Sequence, residues 1–215
     1  MDYRNGLIDI EYSHSKVRTN LLSWYDFEPG IADAVGMVPV IYDYLEAKGI
    51  RFQEYTNELH YYFLLDGPDQ TDILDGELLS RIKSRLSDTG KLFLALDNRL
   101  GMKQLSGMAE LHEGTPFSGV NGSEEHALYT KKQITELLYA SGFEKINFYY
   151  PCPDMIFPTQ IFSDDFLPSR GDFHERHISF YDTDLSTFKE SEALDLICDE
   201  GEFTKFANSY LIIAE

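Results

Sequence analysis

The chain has 215 residues, 43% of them hydrophobic, and is long enough to bury a sizeable core; we predict one domain over residues 1–215. Its 37 acidic residues outnumber the 18 basic ones and give a formal charge of −19, which disfavours binding to nucleic acid and to anionic membrane surfaces. No apolar run reaches the roughly 18 residues of a membrane helix, and no signal-peptide core follows Met1, so we expect a cytoplasmic protein without a membrane span.

The first quarter of the chain is predicted to mix short helices and strands. Residues 1–14 are polar and lack periodicity, which indicates a loosely held N-terminal arm. Apolar residues recur at helical spacing over 15–25, whereas 31–38 fits a strand or a loop equally well. A helix then begins at Pro39 and ends at Gly49, and a strand is expected over 50–56.

Two strongly apolar runs mark the centre of the chain. The run at 60–66 and the run at 92–96 flank an amphipathic helix and a predicted turn at 88–90. Strand, helix and strand in this order predict a right-handed crossover between two parallel neighbours. The second run is apolar throughout, which is typical of a strand buried on both faces.

The last third of the chain contains two further strands and a long insertion. Thr130 and Gln133 form a capping pattern that predicts the start of a helix. Strands are expected at 143–150 and 210–214, and the irregular segment 151–205 is inserted between them, with a short helix predicted over 192–197.

Polar side chains follow the two central strands at the point where each strand ends. Asp97, Asn98 and Arg99 follow the second strand, and Asp66 ends the first. Because ligands of open α/β sheets bind beyond the carboxyl ends of the parallel strands, we expect these residues to line a crevice. There they would orient an acceptor hydroxyl or a cofactor. The alternatives are a polar strand end with a capped turn and, for Asp66, an ordinary turn residue.

Several stretches, in the same order along the chain, resemble class I S-adenosylmethionine-dependent methyltransferases of bacteria that accompany glycosyltransferases in surface-polysaccharide clusters. They are LLSWYDFEPG (21–30), LALDNRLGMK (94–103), HEGTPFSGVNG (112–122), FYYPCPDMIFPTQIFSDDFLP (148–168) and DEGEFTKFANSYLI (199–212). The resemblance implies a Rossmann-like sheet with an antiparallel last strand, S-adenosylmethionine as cofactor, and a glycan or nucleotide-sugar acceptor. It also implies a glycosyltransferase as partner.

The cofactor loop departs from the pattern of this family. The family's loop glycines are replaced here by Val35, Met37 and Pro39. Gly36 remains, out of register, as the predicted cofactor contact. Glu54 is the predicted ribose ligand, because Thr56 stands where the family has its acidic residue. Glycine lets a backbone approach a ligand closely, whereas a Cβ group fills that space.

A helix and a strand of the family's cofactor half also have no counterpart, since only 57–59 precede the next strand. We therefore predict a shrunken Rossmann-like α/β fold with an irregular C-terminal insertion. The first functional hypothesis is methylation of a glycan or nucleotide-sugar hydroxyl from S-adenosylmethionine. The second is a pseudoenzyme that acts by binding a glycan or a protein partner.

Further candidate residues lie in the resembling stretches. His112, flanked by Glu110 and Glu113, is the candidate general base, because histidine titrates near neutral pH. The alternative for His112 is a solvated loop residue. Asp154 and Tyr150 are candidate substrate contacts, with loop rigidity and core packing as the respective alternatives.

No metal site is predicted. His174 and His177 have a spacing that suits one helical turn, yet no third ligand accompanies them. Asp182 and Asp184 resemble the carboxylate pair that holds a divalent metal in many nucleotide-sugar glycosyltransferases. In so acidic a chain this short match is expected by chance, and a sugar transferase is the third and most distant hypothesis.

Overall fold

The computed structural model describes residues 14–65, 74–107, 117, 120, 128–173 and 188–215. The predicted arm therefore lies almost entirely outside the described residues. The elements in chain order are a 3-10 helix (Lys16–Leu21), β1 (Gly30–Val35), α1 (Pro39–Ala47), β2 (Ile50–Phe52), β3 (Leu59–Leu64), α2 (Gly76–Arg85), β4 (Leu86–Asp97), α3 (Met102–Leu105), α4 (Lys131–Ala140), β5 (Ile146–Cys152), β6 (Gln160–Ser163), α5 (Glu190–Asp199), α6 (Phe203–Phe206) and β7 (Ser209–Ala214). Within the described ranges, no helix is long and apolar enough to cross a bilayer.

The described strands form one seven-stranded sheet in the order β2-β1-β3-β4-β7-β5-β6. Strands β1 to β4 are parallel, which confirms the predicted pairing of the two central strands. Strand β7 runs antiparallel between β4 and β5, with Ile212 opposite both Leu94 and Phe148. The predicted Rossmann-like sheet with an antiparallel last strand is confirmed.

The sheet separates two apolar clusters. The 3-10 helix and α1 cover one face, where the buried side chains include Leu21, Leu22, Ile41, Leu45, Phe63 and Phe93. Helices α2, α4 and α5 cover the other face, where the buried side chains include Leu79, Ile82, Leu92, Ile134, Leu138 and Leu194. Strand β7 is buried at every position, as expected for a central strand packed on both faces.

The connection from β2 to β3 is unusually short. Both strands pair in parallel with β1, so residues 53–58 must pass across β1 to reach the start of β3. Parallel crossovers commonly need a dozen or more residues and contain a helix. Here Tyr55 and Glu58 adopt φ values of 56° and 62°, which side-chain-bearing residues rarely take. This tight crossover lies where the sequence predicts that a helix and a strand are missing.

Some local predictions need correction. The strand expected after Gly49 ends at Phe52, because the crossover begins there. The predicted turn at 88–90 lies inside β4, at an irregularity where Leu86 pairs with Leu59 and Lys91 already pairs with Tyr61. A Cβ on Gly90 would stand 2.5 Å from the carbonyl oxygen of Leu59, so glycine is required for this approach.

The insertion at 151–205 contains the short helix predicted around 192–197, which is α5, and more regular structure besides. It completes β5 and adds the edge strand β6, which pairs antiparallel with β5. Helices α5 and α6 follow in its second half. The ambiguous segment at 31–38 is largely strand β1.

Candidate functional site

The predicted site residues fall into two groups at the carboxyl edge of the parallel strands. Asp97 and Asp154 belong to the side of β4, β7 and β5, and Gly36 and Glu54 belong to the side of β1 and β2. Asn98, Arg99 and Tyr150 are also described, whereas Asp66 and His112 lie outside the described residues. The same holds for the residues of the rejected metal patterns, which are His174, His177, Asp182 and Asp184. The two groups are held by different kinds of contact.

A buried lysine joins Asp97 to Asp154. The Lys103 Nζ lies 2.6 Å from Asp97 Oδ2 and 3.8 Å from Asp154 Oδ2, and the lysine is only 4% exposed. The Ser209 hydroxyl donates to Asp97 Oδ1 over 2.7 Å. We call Asp97, Lys103, Asp154 and Ser209 the polar centre. A buried charge must be paired, so each member holds the others in place.

Backbone contacts fix the polar centre within the fold. Asp154 Oδ1 accepts from the N–H groups of Ile156 and Phe157 at 2.9 and 3.2 Å, which makes a local turn. The backbone N–H of Lys103 donates to Asn208 Oδ1 over 2.7 Å. Asp154 therefore rigidifies its loop and faces the polar centre, and its role as a substrate contact stays a prediction.

The buried side chain of Asn98 is hydrogen-bonded to backbone groups. Its side-chain amide donates to the carbonyl oxygens of Lys205 and Ala207, both over 2.8 Å, and its Oδ1 accepts from the N–H of Leu100. The residue is 0% exposed. Both ends of the amide are thus bonded to backbone, and no contact of this residue supports the predicted catalytic role.

Arg99 faces the segment that leads to α4. Its Nε donates to the carbonyl oxygen of Val120 over 3.0 Å, and its backbone N–H donates to that of Tyr129 over 3.2 Å. The three polar residues after β4 consequently have separate surroundings. Of the three, Asp97 is the one that reaches the polar centre.

Tyr150 lies in the core. It is 0% exposed, and its ring packs near Phe203 and Tyr210. The hydroxyl accepts from Lys131 Nζ over 2.7 Å and donates to Asp164. Burial, together with the Asp164 carboxylate, raises the pKa of Tyr150 far above its usual range. A ring without an exposed face cannot contact a substrate, so its placement matches the core alternative.

In the cofactor loop, the remaining glycine adopts a backbone conformation that favours glycine. Gly36 directly follows β1 and has a φ of 70°, in the left-handed region. The next residues pack inward: Val38 is 5% exposed, and Met37 contacts the cluster under α1. Pro39 begins α1, where its missing N–H costs nothing. The loop therefore turns at Gly36 through a left-handed conformation, and the side chains of Met37 and Val38 pack against the core.

Tyr42, on α1, has a raised pKa. Burial raises it most, and the negative charges of Asp33 and Glu54 raise it further. Glu54 itself is exposed. Asp33, on β1, was not among the predicted residues, because an acidic residue inside an ambiguous segment gives no distinctive pattern.

Asp33 is paired with an arginine from α2. The Arg85 guanidinium lies 2.6 Å from Asp33 Oδ2, and its Nε donates to the carbonyl oxygen of Thr56 over 3.2 Å. The same group lies 5.6 Å from the centre of the Tyr62 ring. We call Asp33, Arg85, Thr56 and Tyr62 the arginine cluster. It was missed because no local spacing connects Arg85 to β1.

The described residues hold no group of three or more His, Cys, Asp or Glu side chains that could bind a metal.

No protein-family model and no curated protein matches the chain. Among solved structures, an S-adenosylmethionine-dependent methyltransferase from Thermotoga maritima, described as a possible histamine N-methyltransferase, matches with a TM-score of 0.51 and 6% identity, over 98% of this chain and 94% of that chain. One from Archaeoglobus fulgidus matches with a TM-score of 0.47 and 14% identity, over 99% of both chains. A TehB-like methyltransferase from Corynebacterium glutamicum gives 0.41 and 9%, over 99% of this chain and 95% of that one. The chain has the class I methyltransferase fold; at such identity the likeness concerns the fold alone.

Proposed function

We propose that this chain is a methyltransferase-like pseudoenzyme, which keeps the fold and binds a glycan acceptor or a protein partner without transferring a methyl group. The observation that carries the proposal is the direct crossover at 53–58, which leaves β2 as the edge of the described sheet. In the family that the sequence resembles, a further helix and strand occupy this position and complete the cofactor half.

The residues present do not fit S-adenosylmethionine. Val35 and Met37 place side chains where the family's loop has glycines, and both side chains are partly buried against the apolar clusters. The carboxylate of Asp33 is already paired with Arg85. The cofactor carries a positively charged sulfonium, which the neighbouring guanidinium of Arg85 would repel. We therefore derive no reaction step through this cofactor.

We assign the binding role to the other side of the edge, where 14% of the Asp97 side chain is exposed. The polar centre is complete, with Asp97, Lys103, Asp154 and Ser209 all in contact. The formal charge of −19 favours a neutral glycan over an anionic nucleotide-sugar among the acceptors that the resemblance implies. A glycosyltransferase with a basic surface is the proposed protein partner.

Calorimetric titration with S-adenosylmethionine and, separately, with S-adenosylhomocysteine tests this proposal. We expect no heat and no thermal shift up to millimolar ligand. Micromolar binding, about −8 kcal/mol, would overturn it.

One observation favours the second candidate, an active methyltransferase. Gly36 keeps its left-handed conformation, and Glu54 is exposed beside the loop. If the titration detects the cofactor, methyl transfer to glycan hydroxyls becomes the first activity to assay, with His112→Ala as the variant that tests the predicted base.

A further inference from the structure

Arg85 bridges parts of the chain that a longer crossover would normally keep apart. It is the last residue of α2, and it contacts β1 through Asp33, the crossover through Thr56 and β3 through Tyr62. Guanidinium groups suit this position, because their planar array of N–H donors bonds in several directions at once. Arg85 thus ties the crossover to the sheet.

The ion pair is withdrawn from water. The side chains of Arg85 and Asp33 are 19% and 12% exposed. Removing one partner from such a pair leaves the other charge buried and unpaired, which is costly. The backbone N–H of Ala34 supplies one donor to Asp33 Oδ1, so the guanidinium supplies the remaining compensation.

The location gives this pair a consequence for binding. Asp33 lies in β1 shortly before Gly36, on the strand whose carboxyl end opens onto the crevice. The Asp33 carboxylate is a negative charge with little access to water, and such a charge attracts a positive one strongly. A ligand with an ammonium or sulfonium group would be drawn to this place if it were free.

We propose that Arg85 is a built-in cation that occupies the carboxylate of Asp33 and excludes positively charged ligands from this edge of the sheet. Arg85 is then a specificity-determining residue. The inference does not require that activity be lost, because the guanidinium would compete with a bound cationic cofactor as well.

The test compares Arg85→Gln and Arg85→Met with the wild-type protein, using S-adenosylmethionine as the cationic probe in calorimetric titrations. Glutamine removes the charge and keeps a donor for the Thr56 carbonyl, so it is the variant that best preserves the crossover. Arg81→Met is the matched control, because Arg81 is exposed on the same helix. Asp33→Asn combined with Arg85→Gln removes the carboxylate as well.

We expect Arg85→Gln to bind the probe at least tenfold more tightly than the wild-type protein. The double variant should lose this gain, and Arg81→Met should bind as the wild type does. A folded Arg85→Gln protein with unchanged binding would overturn the inference. Unfolding of both Arg85 variants would overturn it too, because the arginine would then be a fixed structural part and not a displaceable occupant. Tight binding by the wild type would contradict the proposed function, while the comparison of variants would still decide the role of Arg85.

Discussion

The two ends of the carboxyl edge are built on different principles. Around β4, β7 and β5, the polar side chains of Asp97, Lys103 and Asn98 are paired with other side chains or with backbone. Around β1 and β2, a short crossover takes left-handed backbone conformations and is tied down by one arginine. The first end is thus held by buried polar pairs, whereas the second is a shortened crossover held by one arginine.

This difference predicts that the largest loss of stability comes from the polar centre. Lys103→Met leaves the Asp97 and Asp154 carboxylates buried without their cation, which should lower the free energy of unfolding by about 3–5 kcal/mol. Urea denaturation measures the change. Lys132→Met, on a lysine side chain that is 83% exposed, should stay within about 0.5 kcal/mol of the wild type. A small effect of Lys103→Met would mean that the centre does not hold this end together.

Asn98→Leu should give the next largest loss. The substitution leaves the carbonyl oxygens of Lys205 and Ala207 without their donor, which should cost about 2–4 kcal/mol. Asn57→Ala, at an exposed position of the crossover, is the control and should be close to neutral. A stable Asn98→Leu protein with altered ligand binding would instead favour the catalytic role that the sequence predicts.

At the crossover, in contrast, we expect a substitution to increase the free energy of unfolding. Tyr55 is 93% exposed and adopts φ 56°, so Tyr55→Gly removes little packing and relieves an unfavourable conformation. The free energy of unfolding should rise by about 0.5–1 kcal/mol, as thermal denaturation would show. The same change at Glu46, which is exposed within α1, should destabilise by about 1 kcal/mol. A loss of stability in Tyr55→Gly would mean that the crossover is not strained.

The smallest expected effect is a pH dependence beside α3. Burial raises the pKa of Glu190 above its usual range, against the opposing effect of a hydrogen bond with Ser106. The native state thus holds this proton to higher pH than the unfolded chain does. The contribution is full below the unfolded pKa and is lost as pH rises through the folded pKa.

Glu190→Gln should therefore remove part of the fall in stability between acidic and neutral pH. Denaturation midpoints measured across that interval would show it. Glu192→Gln, on an exposed side chain of the same helix, should leave the slope unchanged. An identical slope in the Glu190 variant would contradict the assignment.

Sequence patterns predicted the sheet because its central strands are long apolar runs, and the antiparallel last strand followed from the resemblance. Asp97 and Asp154 were found because each follows a strand or a recognisable motif. Lys103 and Arg85 were missed, since their partners are distant in sequence and only the folded chain brings them together. The left-handed conformations of Tyr55 and Glu58 were also hidden, because neither residue is a usual turn former.

Amide hydrogen exchange with and without millimolar S-adenosylmethionine tests the central claim most directly, since it reports on each end of the edge separately. We predict that the cofactor leaves the amide exchange rates over 33–42 and 53–58 unchanged. Protection of these amides on addition of the cofactor would contradict it, because the shortened cofactor half would then still form a binding site.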